Sequence, residues 1–323
     1  MQRSLVLGCG AYLPERVVTN DELAKTVDTS DEWIVKRTGI QQRHFAAEGE
    51  LTSDLAIEAS KAAMRQAGVD ASDIDLVIVA TSTPDNTFPA TATKVQAALG
   101  VRQGAAFDVQ AVCAGFIYAL SVADNMIRLG QVKTALVIGA EVFSRILDWE
   151  DRGTCILFGD GAGAMVLRGA DRSDDTSESG VLSTHIYSDG RFYDMLYVDG
   201  GPGSTGSAGY LRMVGKEVFR HAVSRMSEAV EKAVAHNNLA LSDIDWLVPH
   251  QANVRIIDSV GKRLKLSREN VVVTVASQAN TSAATIPLAL TAAQDDGRLQ
   301  PGNLLALSAL GGGFSWGSAL IRL

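Results

Sequence analysis

"CAGFIYALSVADNMIRLGQVKTALVIGAE", residues 113–141, decides the fold, because "NTSAATIPLALTAAQDDGRLQPGNLLALSAL" (280–310) repeats its plan. Each runs as a helical apolar pattern, a glycine, and then a short run with the character of a buried strand. Aligning Gly130 with Gly297 without gaps sets the copies 167 residues apart and puts Cys113 opposite Asn280. A second pair, "AAMRQAGVDASDIDLVIVATS" (62–82) and "KAVAHNNLALSDIDWLVPHQA" (232–252), also matches without a gap. Both members read as a helix end, "SDID" and a buried strand. His250 ends the strand equivalent to the one that ends near Ala80.

Working outward, "DLVIVATS" (75–82), "TALVIGAE" (134–141), "DWLVPHQ" (245–251), "NVVVTVAS" (270–277) and "NLLALSAL" (303–310) read as buried strands. Ala-rich stretches of helical spacing such as "SDLAIEASKAAMRQAG" (53–68) lie between them. The chain is therefore an α/β protein with helices covering sheet. The repeat predicts two halves related by a pseudo-twofold axis. Such a chain gathers Cys113, His250 and Asn280 at the carboxyl ends of strands, where sites in α/β proteins commonly form. Packing alone would account for the repeat, but not for polar side chains at these corners.

Composition bounds the function. A 323-residue chain buries roughly three quarters of its unfolded surface, which suits one large unit or two tightly packed halves. Seven prolines and no long polar tract argue against linkers and disorder. A formal charge of −8 speaks against a general nucleic-acid surface. Cys9, Cys113 and Cys155 are odd in number and show neither a disulfide framework nor a zinc spacing, as in a reducing compartment. "MQRSLVLGCGAYLP" holds only a short apolar run, too short for a signal segment or membrane span. The expected location is the cytoplasm.

A lone cysteine in an apolar run is usually a small buried hydrophobe. At a helix start, however, unpaired N–H groups and the helix dipole favour the thiolate, and Ala114 and Gly115 leave room for a substrate. His250 and Asn280 could offer donors, or exchange a proton, around a bound carbonyl. The triglycine of "SALGGGFSWGSAL" (308–320) can turn bare backbone into the site. The N–H groups of Cys113 and Gly313 would then form an oxyanion hole. "FGDGAGAMVL" (158–167) is not a dinucleotide fingerprint, since its glycines lie between strand-like runs and open no helix. It reads as a hairpin turn, and "DGGPGSTGSAGY" (199–210) as a loop.

Together "AVCAGFIYALSVAD", "VPHQANVRII", "NTSAA" and "GGGFSWGSAL" resemble the signature blocks of the β-ketoacyl-acyl-carrier-protein synthase III family, from "GCGAYLPERVVTNDEL" to the last residues. The resemblance implies a thiolase-like fold, a duplicated five-layer αβαβα arrangement with halves at 1–172 and 173–323, working as a homodimer. It implies condensation of a short acyl-CoA, with acetyl-CoA as the expected primer, with malonyl-acyl carrier protein to start fatty-acid synthesis, without a metal or resident cofactor. By position, Cys113 resembles the acyl-accepting nucleophile, and His250 and Asn280 the pair that binds the malonyl thioester carbonyl. Cys113 and Gly313 correspond to the oxyanion hole.

"DTSDEWIVKRTGI" (28–40) resembles the CoA entrance, with Trp33 and Arg152 holding the adenine, Arg37 the nucleotide end and Asn253 the pantetheine arm. Trp33 and Arg37 are also simply an i, i+4 helix pair. Gln251, Ala252, Asn253, Val254 and Arg255 match the carrier-protein contact, with Arg220, Lys262 and Arg263 extending the basic patch, although such charges are usually a solvated face. Phe88 aligns with a residue that reaches into the partner's acyl pocket. Many relatives carry His-Gly before the asparagine, whereas Gln278 and Ala279 stand here. Were φ positive there, Ala279 would strain the turn. A same-fold enzyme with a longer primer or another acceptor, a Cys–His–Asn thioester hydrolase, and a non-catalytic carrier-binding module are the other readings.

Overall fold

The computed structural model describes residues 2–171 and 179–323. The first half holds β1 (Gln2–Tyr12), β2 (Arg16–Thr19), α1 (Asn20–Leu23), α2 (Asp31–Thr38), β3 (Gln42–Phe45), α3 (Thr52–Ala67) and β4 (Leu76–Ala80). It continues through α4 (Thr91–Leu99), β5 (Ala105–Val109), α5 (Gly115–Arg128), β6 (Thr134–Val142) and β7 (Asp160–Asp171). The second half holds β8 (Gly180–Ser188), β9 (Leu196–Val198), β10 (Leu211–Met213), α6 (Gly215–His236), β11 (Trp246–Pro249) and α7 (Val254–Arg263). It closes with α8 (Val275–Gln278), α9 (Thr285–Asp295), β12 (Leu304–Gly311) and β13 (Ser315–Arg322). The boundary expected between 172 and 173 lies outside the described residues.

Two sheets share one plan. The first has the order β1-β7-β6-β4-β5, with β6, β4 and β5 parallel and β7 antiparallel to both neighbours. The second runs β8-β13-β12-β11, with a single parallel bridge from Leu247 to Val271 standing where β5 stands in the first. Every residue of β6 and β12 is buried, as expected for strands covered on both faces. Helices α5 and α9 lie between the sheets in a core to which both sheets contribute. α3 and α4 cover the outer face of the first sheet, and α6 and α7 that of the second. This is the five-layer αβαβα arrangement. Among the described residues, no helix is long and apolar enough to cross a membrane.

Two expected elements differ. "NVVVTVAS" (270–277) is not a strand beyond its bridge, because Oε1 of the buried Gln251 side chain accepts the Thr274 N–H at 2.9 Å and the chain then coils into α8. Gly161 and Gly163 of "FGDGAGAMVL" lie within β7, and Gly159 directly before it, so the stretch is not a hairpin turn. A Cβ on Gly163 would stand 2.8 Å from the Leu288 nitrogen, so the missing side chain admits α9 against the sheet.

Candidate active site

The site is built at two matching corners. Val112 (φ +49°) and Ser282 (φ +50°), 170 residues apart, each open a 3-10 turn that leads into α5 or α9. Each corner rests on a strand of the opposite half. A Cβ on Gly311 of β12 would lie 2.7 Å from the Cys113 nitrogen, and one on Gly139 of β6 would lie 2.3 Å from the Ala283 carbonyl oxygen. Only glycine permits either approach. The residue opposite Cys113 is therefore Ala283, and not Asn280 as ungapped alignment of the glycines implies. α5 has 14 residues and α9 has 11, so the copies agree at a spacing of 170 at the helix starts and of 167 at their ends.

Asn280 enters from the segment before the second corner, clamped by the first half. Its N–H donates to the Leu157 carbonyl at 3.0 Å, and its carbonyl accepts the Gly159 N–H at 3.0 Å. Arg43, fully buried, holds the same loop by donating to the Ile156 carbonyl at 2.8 Å, and it also donates to Asn20 Oδ1 at 2.7 Å. The Ser282 N–H donates to Asn280 Oδ1 at 2.9 Å. Just before it, Ala279 has φ +55° and ψ −163° with its side chain fully buried. That is backbone which glycine adopts freely and which costs other residues on the order of 1–3 kcal/mol.

His250 follows β11, its N–H donating to the Ser308 carbonyl at 2.8 Å. Its Nδ1 lies 2.7 Å from Thr285 Oγ1 at the start of α9. Burial alone pulls the imidazole down to about 3, so the ring is neutral at physiological pH.

Cys113 is buried at the first turn. Burial pushes its thiol up to about 12, reinforced by the Glu141 carboxylate and opposed by the Ser282 hydroxyl and its own backbone. Glu141, next to last in β6, is fully buried, with Oε2 accepting from Thr83 Oγ1 at 2.6 Å, the Ser82 N–H at 3.0 Å and Thr81 Oγ1 at 3.2 Å. Desolvation outweighs these donors and lifts its carboxyl to about 7. The Ser282 hydroxyl stands against both groups and favours the ionised form of each. Neither Ser282 Oγ nor Glu141 Oε1 has a hydrogen bond of ordinary geometry.

The Ser282 turn thus packs against the Cys113 corner, and Ser282 bonds Asn280 through its N–H and Thr285, His250's partner, through its carbonyl at 3.1 Å. Sequence reasoning missed Ser282, Thr285 and Glu141. Their only traces were the hydroxyl run of "NTSAAT" and a carboxylate closing an otherwise uncharged strand. Gly313 occupies the β12–β13 turn with φ +125°. Among the described residues no group of three or more His, Cys, Asp or Glu could hold a metal ion.

At the rim, the guanidinium groups of Arg37 and Arg152 stand 4.4 Å and 5.3 Å from the Trp33 ring centroid, and Arg152 also pairs with Asp28 at 3.0 Å. α2 meets α7 where Gly39 packs on Val254. Asn253 caps α7, its Oδ1 accepting the Ile256 N–H at 3.0 Å. Arg255 is exposed, 5.5 Å over Phe219. Arg220 and Arg263 are engaged by Glu217 and Glu228. Gln251 is a correction. It is fully buried, its amide donating to the Pro249 and Val272 carbonyls, so it cannot face a protein partner. Phe88 is 81 % exposed.

A duplicated five-layer fold with cysteine, histidine and asparagine joined at the strand ends is the architecture of the thiolase-fold condensing enzymes. Comparison with known proteins makes this specific. The family described as 3-oxoacyl-[acyl-carrier-protein] synthase III matches residues 107–190, and its C-terminal counterpart matches residues 234–323. The chain is 64% identical over 321 residues to the β-ketoacyl-[acyl-carrier-protein] synthase III of Paramagnetospirillum magneticum, covering 99% of both. The crystal structure of 3-oxoacyl-[acyl-carrier-protein] synthase III from Aquifex aeolicus matches with a TM-score of 0.93 and 43% identity over 99% of this chain and 100% of that one. The priming β-ketosynthase of a polyketide biosynthetic pathway matches with a TM-score of 0.92 and 34% identity, over 100% of this chain and 96% of that one. The chain belongs to the β-ketoacyl-[acyl-carrier-protein] synthase III family, and it is an acyl-transferring condensing enzyme of fatty-acid biosynthesis.

Proposed function

We propose that the enzyme condenses acetyl-CoA with malonyl-acyl carrier protein, giving 3-oxoacyl-carrier protein, CO2 and CoA. The Cys113 sulfur attacks the acyl-CoA carbonyl, the tetrahedral oxyanion takes donors from the Cys113 and Gly313 N–H groups, and CoA leaves as its thiol. His250 and the Asn280 amide then bind the malonyl thioester carbonyl. Loss of CO2 leaves an enolate on that oxygen, and its carbon attacks the acyl-Cys113 carbonyl and returns the thiolate. The observation that carries this reading is the turn at Ser282, which packs against the Cys113 corner and holds both Asn280 and the Thr285–His250 pair. No resident cofactor or metal is needed, because the donors stabilise the enolate as it forms.

Trp33, Arg37, Arg152 and Asn253 serve the CoA, and Ala252, Asn253, Val254 and Arg255 the carrier protein. The cation–aromatic cluster at Trp33 supports the first assignment and the exposure of Arg255 the second. The working form is a cytoplasmic homodimer in which the exposed Phe88 enters the partner's acyl pocket. Purified enzyme with labelled acetyl-CoA and malonyl-carrier protein tests the reading. A 3-oxoacyl product on the carrier is expected. Free acid would mean a hydrolase, binding without turnover a carrier-binding module, and turnover only with longer primers a specialised condensing enzyme.

A further inference from the structure

The neutral His250 ring has one proton to place and two nitrogens. Nδ1 is committed to a neighbour, Thr285 Oγ1 at 2.7 Å, with both residues buried. The Thr285 hydroxyl has two acceptors in reach, this nitrogen and the Ser282 carbonyl at 3.1 Å. The carbonyl does not need it, because the backbone N–H of Thr285 already donates there. With the proton on Nδ1 instead, Nε2 would turn a bare lone pair toward the thioester carbonyl oxygen that the proposed function places there, and the two would repel. The hydroxyl proton therefore belongs on His250 Nδ1, the shorter of its two contacts.

We infer that Thr285 is a positioning residue that fixes His250 as the tautomer protonated on Nε2. The consequence rests on the role proposed for His250. With Nδ1 occupied as an acceptor, Nε2 presents an N–H to the malonyl carbonyl and cannot act as a base toward it. No proton crosses the imidazole during decarboxylation, so the ring stabilises the enolate as a fixed dipole. Asn280 is oriented by the same turn, its Oδ1 held by the Ser282 N–H at 2.9 Å. One short segment, Ser282 to Thr285, thereby aims both donors.

The test compares Thr285→Val, which keeps the shape and removes the hydroxyl, with Thr285→Ser, which keeps the hydroxyl. Thr285→Val is expected to slow malonyl decarboxylation about tenfold or more, the size of one lost hydrogen bond, with Cys113 acylation by acetyl-CoA within about twofold of wild type. Thr285→Ser restores decarboxylation. The reporting measurement is the nitrogen NMR spectrum of labelled His250. Wild type should show the proton on Nε2 and a hydrogen-bonded Nδ1, Thr285→Val should lose the Nδ1 shift, and Thr285→Ser should recover it. Should Thr285→Val not fold, Thr285→Ala takes its place. A wild-type proton on Nδ1, a spectrum indifferent to Thr285, or equal losses in both half-reactions would overturn the inference. Absence of a 3-oxoacyl product with wild-type enzyme would overturn the proposed substrates instead, since the spectrum reads the tautomer without turnover.

Discussion

The Ser282 N–H donates to Asn280 Oδ1 at 2.9 Å, and this bond decides which end of the amide the site receives. The oxygen is consumed by the backbone of the turn, so the NH2 group is the end left to offer. Asn280→Asp keeps the acceptor for Ser282 but replaces both donors with a carboxylate oxygen. Decarboxylation of malonyl-carrier protein should fall at least about a hundredfold, while acylation of Cys113 persists. Quantifying acyl-enzyme by mass spectrometry beside CO2 release separates the two. A mutant that decarboxylates at the wild-type rate would remove Asn280 from the enolate site.

The thiol of Cys113 is raised to about 12 by burial, so the resting enzyme holds it protonated at neutral pH. Its alkylation by iodoacetamide should accelerate continuously from pH 6 to pH 9, about tenfold per unit. Prior acylation by acetyl-CoA should block it, and Cys113→Ser should abolish transfer with the fold intact. A rate already level at pH 7 would show a thiolate formed before substrate arrives.

Ala279 sits at φ +55° and ψ −163°, directly before Asn280. Ala279→Gly relieves on the order of 1–3 kcal/mol of backbone strain, partly offset by about 0.4–1 kcal/mol of added unfolded-state entropy. A net gain of about 1 kcal/mol is expected in equilibrium denaturation. Ala279→Val, which adds β-branching at positive φ in a fully buried position, should be destabilised. If glycine lowers stability, Ala279 carries no strain.

The duplication was legible because strand and turn patterns survive where both copies bury the same faces. The "SDID" repeats fall at the 3-10 turns before β4 and β11, and Ala80 and His250 take equivalent places. What failed were inferences about side chains that replace backbone. Gln251 reads as polar and exposed beside the histidine, yet it is buried and bonds three backbone groups, which stops 270–277 from continuing as a strand. The placement of Asn280 opposite Cys113 failed because α9 is three residues shorter than α5, a length that an ungapped match cannot register. Ser282 and Thr285 act through geometry at a corner, and a serine or threonine next to a helix start is ordinarily no more than a cap.

His250 is buried neutral, with its imidazole lowered to about 3. The unfolded chain takes up a proton below about pH 6.5, so this residue's contribution is present above that pH and lost as pH falls toward 3. By pH 5 the loss amounts to about 2 kcal/mol. Denaturation of wild type and His250→Gln at pH 7 and pH 5 should show the wild type losing that much more. Equal losses would mean that the folded protein protonates His250 near its ordinary pKa.

The last prediction concerns the carrier protein. A chain of net charge −8 can attract an acidic carrier only through a local cationic patch. Arg220 and Arg263 are engaged by carboxylates of their own chain. Arg255 is exposed over Phe219 and, among the described residues, has no carboxylate partner. It lies on the first turn of α7, close after His250 and beside the contact with Gly39 that joins α7 to the Trp33 helix. Arg255→Glu should raise KM for malonyl-carrier protein about tenfold, and that KM should depend less steeply on salt, because the screened attraction is gone. Acylation by acetyl-CoA should change less than about twofold, since a small thioester makes no protein–protein contact for Arg255 to steer. Equal losses with both substrates would assign Arg255 to the CoA entrance or to the packing of Phe219, and an unchanged KM would remove it from the carrier interface.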